Sequence, residues 1–248
     1  MANPIHQFEI NPIIPFYIGD FDVSYTNSSL WMTIAVVLST VGLTLATSRK
    51  ALIPGRMQVF AEMLYEFIAN MIRENIGTKG REYFPLIFTL FIVVLLGNML
   101  GMIPYSFTYT SHIIVTAVLA FIIFLVVMFI GIIRHGFHFF SLFLPPGVPM
   151  WLTPLIIPIE VMSFLIRPVT LSVRLFANMI AGHIMLKVFA GFSAGLVTMG
   201  IGGAMLGLLP MLFNSILIGF ELLIAFLQAY VFTILSCIYL KDTVEIGH

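Results

Sequence analysis

In the apolar C-terminal half of this 248-residue chain, ionisable and amide side chains recur at spacings suited to moving protons. Arg174 sits inside Leu171-Ser172-Val173-Arg174-Leu175-Phe176-Ala177-Asn178-Met179, with Arg167 upstream and His183 downstream. A guanidinium does not lose its proton in a protein. At mid-membrane it costs roughly 3 kcal/mol on insertion scales, so it faces a partner charge or a water cavity. Glu160, Arg167 and Arg174 follow at intervals of seven, and each such step drifts only about 20° round a helix, so the three share a face. Asn178 lies about 40° from Arg174 on that side, and His183 about 180° round. Asn214, Glu221 and Gln228 repeat at the same interval and share a second face.

The chemistry of this set is a proton path interrupted by a fixed positive charge. Glu221 and His183 bind and release protons near neutral pH when their surroundings shift them suitably, and Glu160 could do the same on the inner side. Arg174 cannot relay a proton, so it blocks direct conduction, but it draws a passing carboxylate into its ionised form. No acceptor carboxylate for it is obvious elsewhere in the chain, which assigns the missing half to a partner subunit. Plainer readings compete. Arg174 and His183 could be satisfied packing residues, and Glu221 purely structural. Glu160, with Pro158 before it, fits the N3 and N1 positions of a helix start. Asn178 and Gln228 could be hydrogen-bond glue between helices, and for Asn214 that is the favoured reading.

These residues need helices to hold them, and composition says where. At 60% hydrophobic and 9% charged residues, with mean hydropathy +1.09, the chain is far from a soluble domain. Eleven acidic and eleven basic residues cancel, which argues against a nucleic-acid partner. The single Cys237 excludes an internal disulfide and reads as a buried thiol. Residues 1–29 contain no Lys or Arg and so lack the basic region of a secretory signal peptide.

Residues 30–47 are expected to span the membrane, with Arg49, Lys50 and Arg56 marking the inner side and the N-terminal segment 1–29 outside. Residues 56–76 place Val59, Phe60, Met63, Leu64, Phe67, Ile68, Met71 and Ile72 on one face and Gln58, Glu62, Glu66, Asn70 and Arg73 on the other. That pattern is an amphipathic helix in the interface or against neighbouring helices. Residues 84–103 and 113–133 span out and back. Arg134, His135 and His138 form a basic inner flank rather than a metal site, and Pro145-Pro146-Gly147 breaks the chain. His6 and His112 are isolated. Residues 150–190 and 204–240 exceed what a ~30 Å hydrocarbon core needs, so both helices must be steeply tilted, with Gly200, Gly202 and Gly203 offering the turn between them. Pro158, Pro168 and Pro210 can kink them. Lys187 is expected to snorkel toward the outer interface. The expected fold is an all-α integral membrane domain over 1–248, with five crossings, one interfacial helix and a tilted hairpin. Folding the hairpin about residue 201 sets Gln228 level with Arg174, and Glu221 level with Ala181, half a turn from His183.

The run Leu171 to His183 (LSVRLFANMIAGH) and the run Glu221 to Phe232 (ELLIAFLQAYVF) resemble subunit a of the F-type ATP synthase. The resemblance covers nearly the whole chain, including the Gly97-Asn98 run and the amphipathic second helix. It implies a stator subunit of the bacterial inner membrane whose hairpin faces a rotating ring of c subunits, with b-type peripheral-stalk subunits as further partners, no cofactor and no metal. The arginine matching Arg174 then separates two aqueous half-channels. His183 and Glu221 match the outer half-channel, and Glu160 the inner one. Asn178 and Gln228 match polar positions flanking the arginine, and Arg167 a position that is often basic. Many bacterial members carry Glu and then His where this chain has His183 and then Glu221, an order similar to the mitochondrial type. The C-terminus is implied to be cytoplasmic. A secondary transporter would show repeated halves and broken helices, and an intramembrane hydrolase a nucleophile–base or metal set. The sequence offers neither.

Overall fold

The computed structural model describes residues 8–19, 21–48, 54–103, 106–136, 139 and 152–244. Its helices are α1 (Asn27–Thr47), α2 (Arg56–Asn75), α3 (Phe84–Gly101), α4 (Ile113–His135), α5 (Thr153–Val197) and α6 (Ile201–Val244). All but α2 are long and apolar enough to cross a membrane, so the all-α membrane fold with five crossings holds. His6, Arg49, Lys50, His138 and the Pro145-Pro146-Gly147 break lie outside the described residues.

The N-terminal segment is less plain than expected. Strands β1 (Pro12–Ile14) and β4 (Tyr25–Thr26) pair antiparallel, as do β2 (Tyr17–Ile18) and β3 (Phe21–Asp22) between them. This ribbon leads directly into α1, which starts at Asn27 rather than at residue 30. Local polar chemistry accounts for the earlier start. Thr26 Oγ1 accepts the Ser29 amide at 3.4 Å, as an N-terminal cap does. The Asn27 side chain donates to the Glu9 carbonyl and accepts the Asn11 amide, which ties the segment to the helix end.

Helix α2 uses only part of its apolar stripe. Ile68, Met71 and Ile72 are buried, whereas Phe60 and Met63 remain exposed. That is the burial of a helix docked by one end of its apolar face. Gly77, at φ +78°, ends this region before a 3-10 helix, Thr78–Tyr83, leads into α3.

Both C-terminal helices outrun their expected limits. At 45 residues, α5 is about 68 Å long, more than twice a ~30 Å hydrocarbon core. It begins at Thr153, so Pro158 and Glu160 lie inside it rather than at its first turn, and the helix-start reading of Glu160 falls. It also continues through Gly191 and Gly195 to Val197 instead of stopping at residue 190. Each helical glycine costs up to about 1 kcal/mol relative to Ala, and it is Gly203 and Gly207 of α6, rather than Gly191 and Gly195, that let the two helices come close. Ser193 Oγ donates to the Gly207 carbonyl at 2.9 Å, and the Leu196 carbonyl lies against Gly203. The turn is therefore Thr198 to Gly200, with Gly200 at φ +94°, a conformation that side-chain-bearing residues rarely adopt. Gly202 and Gly203 belong to α6. The pairings 193–207 and 182–221 agree with a fold centre near residue 201.

Two compact units emerge. The first comprises the described residues of Met1–Gly42, Ile92–His112 and Leu175–Ala229, and the second those of Leu43–Phe91, Ile113–Arg174 and Tyr230–His248. In the second, Phe67 of α2 packs on Phe91 and Tyr230, Phe124 on Phe164, and Thr116 Oγ1 meets Ser172 Oγ at 3.1 Å. Cys237 is fully buried there.

Candidate functional site

The first unit contains the buried titratable pair. His183 from α5 and Glu221 from α6 are 6% and 4% exposed, and His183 Nδ1 stands 3.2 Å from Glu221 Oε1. The juxtaposition expected from folding the hairpin near residue 201 is thus present. Neither Glu221 oxygen has a hydrogen-bond partner among the described residues, so the 3.2 Å approach is an ion-pair distance without hydrogen-bond alignment. A poorly aligned resting geometry is common among groups that exchange protons only when a substrate arrives.

Gly182 makes room for this pair. A Cβ placed on it would lie 2.8 Å from Glu221 Oε1. The obstructing atom is the end of a flexible side chain, so a substitution should move the carboxyl and leave the helices in place. Gly182→Ala is expected to displace the Glu221 carboxyl and to slow any turnover that needs proton exchange at this pair by up to about 10²-fold, the cost of roughly 1 Å of misplacement, with the protein still folded. Turnover equal to the parent protein would show that the carboxyl need not sit where the structure has it.

Side chains from two further elements reach the pair. Thr108 Oγ1 is 3.0 Å from His183 Nε2, and the Phe8 ring lies against the imidazole with centroids 6.3 Å apart. Lys187, one turn further along α5, holds its ammonium 5.8 Å from the centre of the Phe8 ring. Sequence reasoning passed over Thr108. The available signal was a cluster of hydroxyls in a loop without charge, and Ser106, Thr108, Thr110 and Ser111 are all buried. Asn98, which entered only through the Gly97-Asn98 resemblance, is fully buried in α3. It donates to the Ala225 carbonyl at 3.1 Å, and its own Oδ1 has no partner. Thr110 Oγ1 and His112 Nε2 are likewise buried without partners. Burying such groups unpaired is costly, and most of those among the described residues fall in this unit. Outside the spanning helices, desolvation lowers the His112 pKa and raises that of the Tyr109 phenol.

Gln228 is buried and Asn178 exposed in the same unit. Asn214 departs from expectation. Its Oδ1 is buried with no hydrogen-bond partner among the described residues, so this oxygen does not make the interhelical bond its amide suggested.

The basic ladder lies in the second unit. Arg174 is exposed on α5, which also presents Val169 and Val173 outward. Arg167 donates to Asp242 Oδ2 at 2.8 Å, with its guanidinium 5.0 Å from the centre of the Tyr239 ring and 5.6 Å from that of Phe164. This gives Arg167 a bracing position between α5 and the end of α6. Glu160 is half-buried, with no hydrogen-bond or ion-pair partner among the described residues.

A family model described as ATP synthase A chain matches residues 29–241. The ATP synthase subunit a of Rhizobium rhizogenes is 57% identical to this chain over 251 residues, covering 100% of this chain and 99% of its own. That of Rhodospirillum rubrum is 55% identical over 245 residues, covering 99% of each chain. That of a Chelativorans species is 52% identical over 247 residues, covering 100% and 99%.

Proposed function

The chain belongs to the ATP synthase A chain family, and on that premise we propose that it is the stator through which protons reach and leave a rotating ring of c subunits. At the coarser level it is subunit a of the F0 sector, a multi-pass bacterial membrane protein that is not an enzyme alone. The finer reading assigns it two offset half-channels separated by Arg174.

A proton arrives from the outer side at His183 and Glu221 and neutralises a carboxylate on the ring. The neutral site turns into lipid, which would penalise the ionised form. After almost a full turn it releases its proton toward Glu160 on the inner side and passes Arg174 as an anion. Each proton crossing 100 mV supplies about 2.3 kcal/mol to bias this rotation. Asn178 and Gln228 act beside the arginine. Arg167 supports the inner arm through Asp242, and Asn214 offers a buried polar oxygen along α6. The N-terminus is outside, the C-terminus cytoplasmic, and b-type stalk subunits hold the stator against the ring.

The observation that carries this reading is the contrast in burial along α5. His183 is buried against Glu221, whereas Arg174 is exposed among apolar side chains. A permanent cation presented outward from an apolar helix suits a carboxylate on a moving neighbour, and a buried His–Glu pair suits a guarded proton route.

Reconstitution in liposomes tests it. The chain alone is expected to conduct almost no protons, and addition of the c-ring should bring robust flux. Comparable flux from the chain alone would overturn the stator reading and favour a self-sufficient transporter.

A further inference from the structure

A hydroxyl group has one proton to donate, and Thr108 stands between two groups that could take it. Its Oγ1 is 3.0 Å from the Gly101 carbonyl oxygen and 3.0 Å from His183 Nε2. The carbonyl can only accept, whereas an imidazole nitrogen can donate or accept. If the Thr108 proton turned toward His183, two oxygen lone pairs would face one another at 3.0 Å in a site where Thr108 is 1% exposed. If it points to Gly101, both contacts become hydrogen bonds once His183 carries a proton on Nε2. The neighbouring hydroxyl gives no relief, because Ser106 Oγ is nearer the Leu100 carbonyl, at 2.6 Å, than that of Gly101, at 3.1 Å.

We infer that Thr108 is a positioning residue that holds His183 in its Nε2–H form, leaving Nδ1 as the ring nitrogen that exchanges a proton with Glu221. The inference rests on the proton-path reading of His183 and Glu221 and deepens it. The hydrogen bond made by one ring nitrogen decides the state of the other, and here the Thr108 contact does so through the end of α3. The last carbonyls of a helix lack intrahelical donors, and at α3 hydroxyls serve those of Leu100 and Gly101. A Cβ on Gly101 would run into the Thr108 side chain, so glycine there lets the loop close onto the helix. Ser111 Oγ, donating to the Thr108 carbonyl at 2.6 Å, stiffens the loop from the other side.

The proton count follows. With Nε2–H fixed, one exchangeable proton lies between Nδ1 and Oε1, as a carboxylic acid facing a neutral ring or as an imidazolium facing a carboxylate. Glu221 therefore gains its proton when Nδ1 releases one and loses it when Nδ1 receives one, with no rotation of the ring. The groups facing the imidazole are Glu221 from α6, Thr108 from the loop, Phe8 from the N-terminal segment and Lys187 further along α5. Of these, Glu221 and Lys187 are ionisable.

The test uses the assembled complex with ¹⁵N-labelled histidine, comparing the parent protein with Thr108→Ser and Thr108→Val. The parent and Thr108→Ser are expected to show the Nε2–H signature at His183. Thr108→Val, close in shape but without the hydroxyl, should shift the ring toward Nδ1–H. It should also displace the pH profile of proton-driven ATP synthesis and slow the reaction by about tenfold, the worth of one buried hydrogen bond. Retained ATP hydrolysis with serine rescue would separate this from misfolding. An Nδ1–H signature in the parent, or an unchanged spectrum and pH profile in Thr108→Val, would overturn the inference. The spectrum reports the tautomer whether or not His183 conducts, so failure of the proton path, seen as undiminished synthesis in His183→Ala, is a separate result.

Discussion

Arg174→Ala should abolish proton-driven ATP synthesis, with a loss on the order of 10³-fold or more. The magnitude follows from the work assigned to the guanidinium. A unit charge about 4 Å from a carboxylate, at an effective dielectric near 20, favours the ionised form by roughly 4 kcal/mol, or about three decades in an equilibrium. On the proposed mechanism, a ring carboxylate without that bias would have no reason to pass the stator as an anion, and protons would cross between the proposed half-channels without driving rotation. Arg174→Lys keeps the charge but replaces a planar, weakly hydrated fork with a compact, strongly hydrated ammonium, so it should recover little. Synthesis measured in energised vesicles, beside passive proton leak, checks both halves. Near-parental synthesis in the alanine variant would remove Arg174 from its assigned role.

Glu221→Gln is the second large effect expected. Gln preserves volume and polarity but cannot carry the proton. Removing a positioned acid–base group costs typically 10²- to 10⁴-fold, and Glu221 is 4% exposed beside His183, with neither oxygen hydrogen-bonded among the described residues. Proton-driven synthesis and ATP-driven pumping should fall together, because a relay serves both directions. The same substitution removes a carboxylate from an apolar helix, so assembly is expected to survive. If both directions ran at the parental rate, Glu221 would be a structural carboxyl rather than a relay.

Much of the architecture was legible because it is local. Hydropathy and length located the spanning helices, and the alternation around Ile68, Met71 and Ile72 identified α2, whose burial follows those positions. The end-points were harder. Between Thr153 as a start and Val197 as a stop, α5 runs through Pro158, Pro168, Gly191 and Gly195, which locally read as breaks. The pairing of β1 with β4 ahead of α1 joins residues more than ten apart, whereas the Thr26 cap on Ser29 is local.

The sequence by itself determined which side chains carry charge through the apolar helices and that Glu221 and His183 fall close together, because helical periodicity and the glycine turn set both. Only the tertiary structure decided that Thr108 touches the imidazole and that Arg167 pairs with Asp242. The physical reason is the same in each case. Such contacts join segments distant along the chain, and their geometry depends on how closely helices approach, which no local period encodes.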